Sequence, residues 1–161
     1  MNIYNKHKVK RLSKKNTFTD KVFKQIGALC FKIEKNKLFI LLIKSRRSKR
    51  WVIPKGWKLA TMNSRMSVAV EAWEEAGVQG KVSKRPIGFY HYRKANKDGS
   101  FFSCEVKVYS LSVFKLKKKF PEMKERKSKW FSSDQASLMV DEPELKKIFL
   151  KFQKLIKKQK E

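Results

Sequence analysis

This chain of 161 residues has little that would hold a structure together covalently. Its two cysteines, Cys30 and Cys104, lie far apart, each inside an apolar run. That excludes a disulfide framework and a zinc-ligand spacing, and both read as buried thiols in a reducing compartment. No apolar run approaches the roughly 18 residues that a membrane span requires, and the opening MNIYNKHKVKRLSKK has no apolar signal core. The expectation is a cytoplasmic, soluble protein without membrane contact. Internal repeats and long linkers are absent as well. Acid is scarce beside base: 14 Asp and Glu stand against 41 Lys and Arg, a formal net charge of +27. A field of that sign attracts polyanions such as nucleic acid, polyphosphate or phosphorylated metabolites. The bland reading of the same number is lysine spread over every segment.

With 41% hydrophobic and 12% aromatic residues, the chain is globular and sized for one domain. Residues 1–20 carry Lys6, Lys8, Lys10, Arg11, Lys14 and Lys15 with Asp20 as their only acid. They are expected to form a basic arm, a tail or a flap over a polyanionic substrate, ahead of a domain spanning 21–161.

Against this basic background, Glu71, Glu74 and Glu75 crowd into five residues. At about 100° per residue they share one ridge of a helix, where their charges repel. A divalent cation relieves that repulsion, and hard oxygen ligands suit Mg²⁺ or Mn²⁺. The alternative is a solvated acidic face. Val68, Ala69, Ala72, Trp73 and Ala76 give the same helix a packing surface, Asn63 or Ser64 caps its start, and Gly77 ends it. Ahead of it, the apolar run Trp51-Val52-Ile53 meets the breaker cluster Pro54-Lys55-Gly56, which gives the order strand, loop, acidic helix.

Counted from Gly56, the pattern resembles the Nudix box: glycine, five residues, Glu, seven residues, then Arg-Glu-apolar-x-Glu-Glu-x-Gly-apolar. Gly56, Glu71, Ala72, Glu74, Glu75, Gly77 and Val78 stand at matching positions, while Met62 and Val70 replace the usual Glu and Arg. The retained residues are those that bind metal in the family. The replaced pair is the one thought to brace loop against helix. Arg50-Trp51-Val52-Ile53-Pro54-Lys55-Gly56 is similar to the subgroup that includes diphosphoinositol polyphosphate and diadenosine polyphosphate hydrolases.

The resemblance implies an α/β fold, the Nudix-type α/β/α sandwich with a mixed central sheet. It implies hydrolysis of a nucleoside diphosphate linked to another moiety, or of a related phosphoanhydride, with Mg²⁺ or Mn²⁺. Glu71 and Glu75 are then the principal metal ligands, Glu74 a further ligand or outer-shell base, and the backbone at Lys55 or Gly56 a further donor. In the loop Lys44–Arg50, Ser45 and Arg46 are expected to touch substrate phosphate, with Arg50 and Lys55 beside them. A later loop commonly lends one more carboxylate; Glu122 and Glu125 are available, with Glu105 behind them. The expected substrate is a phosphorylated small molecule, most simply a dinucleoside polyphosphate. RNA with a triphosphorylated 5′ end competes, through contact with the basic surface. A degenerate module that binds nucleotide or nucleic acid without catalysis is the reading from outside enzymology, motivated by Met62 and Val70.

The rest of the chain supplies the frame. Apolar runs around Glu34-Lys35-Asn36 predict a hairpin of strands covered on both faces. A second hairpin is expected, one limb over Val78–Arg93, a turn at Asn96-Lys97-Asp98-Gly99, and a limb over Phe101–Leu116. His91, among aromatics, reads as a packed or surface residue before it reads as a general base. Lys129-Trp130-Phe131 predicts a short strand and Ser132 a helix start. Asp141 is expected to cap a last helix, with Glu144 completing a capping box and Leu145, Ile148, Phe149, Phe152, Leu155 and Ile156 forming its apolar stripe.

Overall fold

The computed structural model describes residues 21–161, so the basic arm over 1–20 lies outside the described residues. Eight strands and three helices follow one another among them. They are β1 (Val22–Glu34), β2 (Lys37–Lys44), β3 (Trp51–Val52), β4 (Lys55–Gly56), α1 (Ser64–Ala76), β5 (Val78–Val82), β6 (Gly88–Ala95), β7 (Phe101–Leu116), β8 (Ser128–Ser132), α2 (Ser133–Met139) and α3 (Pro143–Lys158). None of these helices is long and apolar enough to cross a membrane.

The strands form one mixed sheet whose main path runs β3-β2-β1-β7-β5, with β4 on β1, β6 on β7 and β8 on β2. Only the β1–β7 pairing is parallel. The first hairpin closes as expected: Glu34 faces Lys37, and Lys35 and Asn36 both take positive φ, 49° and 63°, as a two-residue loop matched to strand twist requires. The second hairpin departs from expectation. Its first limb breaks into β5 and β6 around Pro86, which has no amide hydrogen for a ladder, and the long β7 pairs with both pieces.

Alternation along the strands divides the apolar side chains between two cores. Leu38, Ile40 and Leu42 of β2 face one side with Leu29, Val106 and Val108, and there they meet Leu145, Ile148, Phe149 and Phe152 of α3. Leu41 and Ile43 face the other with Ile26, Ala28 and Leu111, where Val68, Ala72 and Ala76 of α1 cover them. A sheet apolar on both faces needs a helix layer on each, and the α/β/α sandwich results. Each fully buried Leu, Ile or Phe contributes about 1.5–3 kcal/mol, so α3 docks firmly through those four residues. Leu155, expected in the stripe, is 46% exposed, because it lies off the buried ridge.

The start of α3 also corrects the expectation. Its N-cap is Glu142, without a side-chain cap bond, and Pro143 follows. Asp141 instead accepts a hydrogen bond from Arg50, and Glu144 turns to His91.

Candidate functional site

Helix α1 begins where Asn63 Oδ1 accepts the Met66 amide at 2.9 Å and ends at Gly77, whose φ of 66° is left-handed. That end is occupied: a Cβ on Gly77 would stand 2.5 Å from the Lys117 carbonyl oxygen and 2.6 Å from the Phe120 ring. The loop after β7 therefore packs on the helix terminus. There Lys117 N donates to Gly77 O at 2.8 Å and Glu122 N to Glu74 O at 3.0 Å. This docking delivers Glu122 and Arg126 to the carboxylates of α1.

Glu75 is buried, and Arg126 Nη2 lies 3.2 Å from its Oε1 and 3.3 Å from Glu122 Oε1. Burial pushes the Glu75 carboxyl up to about 7, against the pull of the Arg126 and Lys55 cations. Glu71, half-buried one turn earlier, is raised by the same loss of water and by the charges of Glu74 and Glu122. Its carboxylate sits on the backbone of β4: a Cβ on Gly56 would lie 2.3 Å from Glu71 Cδ, so only glycine leaves the seat open. β4 is itself fixed to β1 through the pairs Ile26–Gly56 and Gly27–Lys55.

These groups line a cleft of about 990 Å³. Of the sequence-predicted residues, Ser45, Arg46, Arg50, Lys55, Gly56, Glu71 and Glu75 all line it. Glu74 does not; it is the Glu74 carbonyl that is used, by Glu122. Glu122 and Glu125 meet the cleft through Arg46, whose Nη1 stands 3.4 and 3.2 Å from their carboxylates. Arg50 is committed elsewhere, with Nη1 2.8 Å from Asp141 and 3.4 Å from Glu142; these carboxylates hold its guanidinium above the usual value. Glu105 stands apart from the cleft. Strand register sets it opposite both Lys24 and His91, and it pairs with them at 2.6 and 3.0 Å. His91 is thereby a surface ion-pair partner of Glu105 and Glu144, which raise its pKa, and is no base in the cleft.

Several lining residues were not singled out by sequence. Tyr92 donates to the buried Gln25 at 2.6 Å and lies under Lys55 Nζ, whose pKa burial lowers. Arg126 is the most consequential. Its side chain is 9% exposed, and its Nε has no hydrogen-bond partner among the described residues. The available signal was an arginine at i+4 from Glu122 in a stretch otherwise supplied with lysine.

Among the described residues no three His, Cys, Asp or Glu side chains stand close enough to hold a metal ion between them. The donor set is instead two carboxylates over a backbone strand. Met62 and Val70 leave no ion pair to brace the loop before α1. Ser67, fully buried, does so in their place by accepting the Leu59 amide at 3.1 Å.

Among solved structures, the Ap4A hydrolase of C. elegans superposes with a TM-score of 0.61, over 84% of this chain and 99% of that one, at 19% identity. At that identity the likeness speaks for the fold. Among curated proteins, human diphosphoinositol polyphosphate phosphohydrolase 3-beta is 29% identical over 115 residues, 70% of this chain and 66% of its own length. In fold and in sequence the chain is similar to the Nudix hydrolases. Nudix hydrolase 12, mitochondrial, of Arabidopsis thaliana is also 29% identical, over 104 residues, 63% of this chain and 51% of that protein. The chain thus spans between half and two thirds of these relatives' length. No family model matches it. The Nudix-type sandwich expected from the box is the fold observed.

Proposed function

We propose that the chain is a divalent-cation-dependent hydrolase of phosphoanhydride bonds, acting on a highly phosphorylated small molecule such as a dinucleoside polyphosphate. One observation carries the reading: the Glu71 carboxylate seated on the Gly56 backbone with Glu75 in the same cleft, under a rim of Arg46, Arg47, Lys94 and Lys97. Mg²⁺ keeps several waters and takes one or two carboxylates together with substrate phosphates, so this donor set fits Mg²⁺ or Mn²⁺. Glu71 and Glu75 would hold it, with the backbone carbonyl of Lys55 or Gly56, while Glu74, outside the cleft, would act on Glu71 only through its charge. When bound, the cation neutralises phosphate charge and acidifies an attacking water.

The chain's own groups do the rest. The forked guanidinium of Arg46 matches phosphate oxygens, and Ser45 stands in the same loop. Arg126, lining the cleft, places its guanidinium between Glu75 and Glu122 and balances their charge there. Glu122 is the better base of the two loop acids: its side chain is 19% exposed against 55% for Glu125, and it shares Arg126 with Glu75.

The relatives' names, one for diphosphoinositol polyphosphates and one for Ap4A, support a polyphosphorylated substrate without choosing between them. The net charge of +27 keeps the triphosphorylated RNA end as a second reading. Against the degenerate binding module stands the Ser67–Leu59 hydrogen bond, which ties the loop to α1 where Met62 and Val70 offer no ion pair. Replacing Glu75→Gln should lower Mg²⁺-dependent turnover at least a thousandfold while the thermal transition stays cooperative. Unchanged turnover overturns the assignment.

A further inference from the structure

A second cavity, of about 330 Å³, shares no lining residue with the cleft that holds Glu71 and Glu75. Strand β2 separates the two. Lys37 and Leu38, at its start, line the second cavity, and Ser45, directly after its end, lines the cleft. At about 3.3 Å per residue, the distance along the strand is roughly 25 Å. Three pieces of chain far apart in sequence close the walls. The β1–β2 turn brings Asn36, the junction of β8 and α2 brings Ser133 and Asp134, and the end of α3 brings Ile156 and Lys157, with Lys160 just beyond it. Lys160 Nζ donates to Asn36 Oδ1 at 3.2 Å, which ties the residues after α3 to the turn.

Lys37, Lys157 and Lys160 form no ion pair with a carboxylate among the described residues. Cations in the last turn of a helix suit its terminal carbonyls, which accounts for Lys157. It does not account for Lys37, which arrives from β2, or for Ser133. Ser133 is 1% exposed, and its hydroxyl has no hydrogen-bond partner among the described residues. The neighbouring hydroxyls are satisfied: Ser132 Oγ accepts the Gln135 amide at 3.3 Å and Ser137 Oγ donates to the Asp134 carbonyl at 2.7 Å. A buried hydroxyl left unpaired is costly, and an acceptor oxygen held in the cavity relieves it. Three lysines against the one carboxylate of Asp134 leave an excess of positive charge in the wall. A phosphate monoester, with about −1.5 to −2 charge at pH 7 and three strong acceptor oxygens, offsets it. We infer that this cavity is a second anion site, for a compact phosphate-bearing molecule, with the phosphate among Lys37, Lys157, Lys160 and Ser133 and any apolar body against Leu38 and Ile156. The site does not depend on the hydrolytic reading of the cleft. Free phosphate and a small phosphate ester present the same group to these lysines.

The full chain, without divalent cation, is titrated with ribose 5-phosphate, inorganic phosphate and ribose while the amide chemical shifts are followed. The expected result is a saturable shift at Asn36, Lys37, Ser133 and Lys157 with a phosphate compound and none with ribose. Replacing Lys157→Ala and Lys160→Ala together should weaken that binding about tenfold, and Ser133→Ala about fivefold. Both lysines are exposed and the serine hydroxyl is unpaired, so each variant should keep a cooperative thermal transition. Neither variant should move the midpoint of any shift at Ser45 or Arg46, which report the cleft. Either ranking of the two phosphate compounds sustains the site and names its source: an ester that binds more tightly uses the wall of Leu38 and Ile156, and equal binding assigns the site to free phosphate. Shifts confined to the cleft, an equal response to ribose, or a midpoint that neither variant moves overturns it.

Discussion

Glu75 is asked to carry charge where water is scarce, and its carboxyl accordingly holds a proton up to about 7. The sign of the resulting stability term follows directly. The folded chain binds this proton more tightly than an unfolded glutamate does, so the contribution is complete below about 4.5 and is lost as pH rises toward 7. At about 1.4 kcal/mol per pH unit, the loss is ~3 kcal/mol, with the Arg126 and Lys55 cations pulling the other way. Glu75→Gln mimics the protonated form. Without divalent cation, its stability relative to wild type should therefore climb between pH 4.5 and 7 and level off above, as followed by urea melts across that range; a flat difference would place Glu75 in water. The residue scale also shows why spacing found Glu75 and Glu71 but not Arg126. Two helical positions have a fixed angular relation that can be counted, whereas Arg126 arrives 51 residues later, in a loop seated on carbonyls at the helix end.

Elements of this fold are placed by short backbone contacts. The loop between β4 and α1 depends on Ser67, whose hydroxyl accepts from Leu59 N–H within a buried helix face. Ser67→Ala leaves that amide unpaired and should cost about 1 kcal/mol, or a fall in Tm of roughly 2–4 °C. It should also speed hydrogen exchange at Leu59 and lower kcat/KM, since Gly56 and Trp57 lie at the start of the same loop. Unchanged exchange would show that the loop is held by other means. Strands and helices were legible where local periodicity reports burial: the β1–β2 hairpin, the α1 caps and the buried ridge of α3 all follow from it. The interruption at Pro86 and the cap of α3 were not, because Arg50 competes for Asp141 from a distant loop. Ser67 escaped notice for a similar reason, since a serine in a helix gives no sign of the amide it will meet.

Across the whole molecule, charge and shape divide the work. A formal charge of +27 is spread widely, and Arg46, Arg47, Lys94 and Lys97 bring part of it to the cleft, so small anions are concentrated there. For a dinucleoside polyphosphate, raising salt from 50 to 200 mM should increase KM less than tenfold. A strand lying along the lysine surface would lose 10³ or more over the same range, and that outcome would favour the RNA reading. The amino-acid sequence by itself determined the class of fold and the acidic helix, because two-fold and 3.6-fold apolar spacing and the angular positions of Glu71 and Glu75 are properties of the chain alone. Tertiary structure decided which carboxylates face the cleft, which arginine stands beside them, and that Glu105 belongs to a surface cluster with Lys24 and His91. Those choices are made by strand register and loop docking. Both join residues far apart in sequence, where no local period survives to announce them.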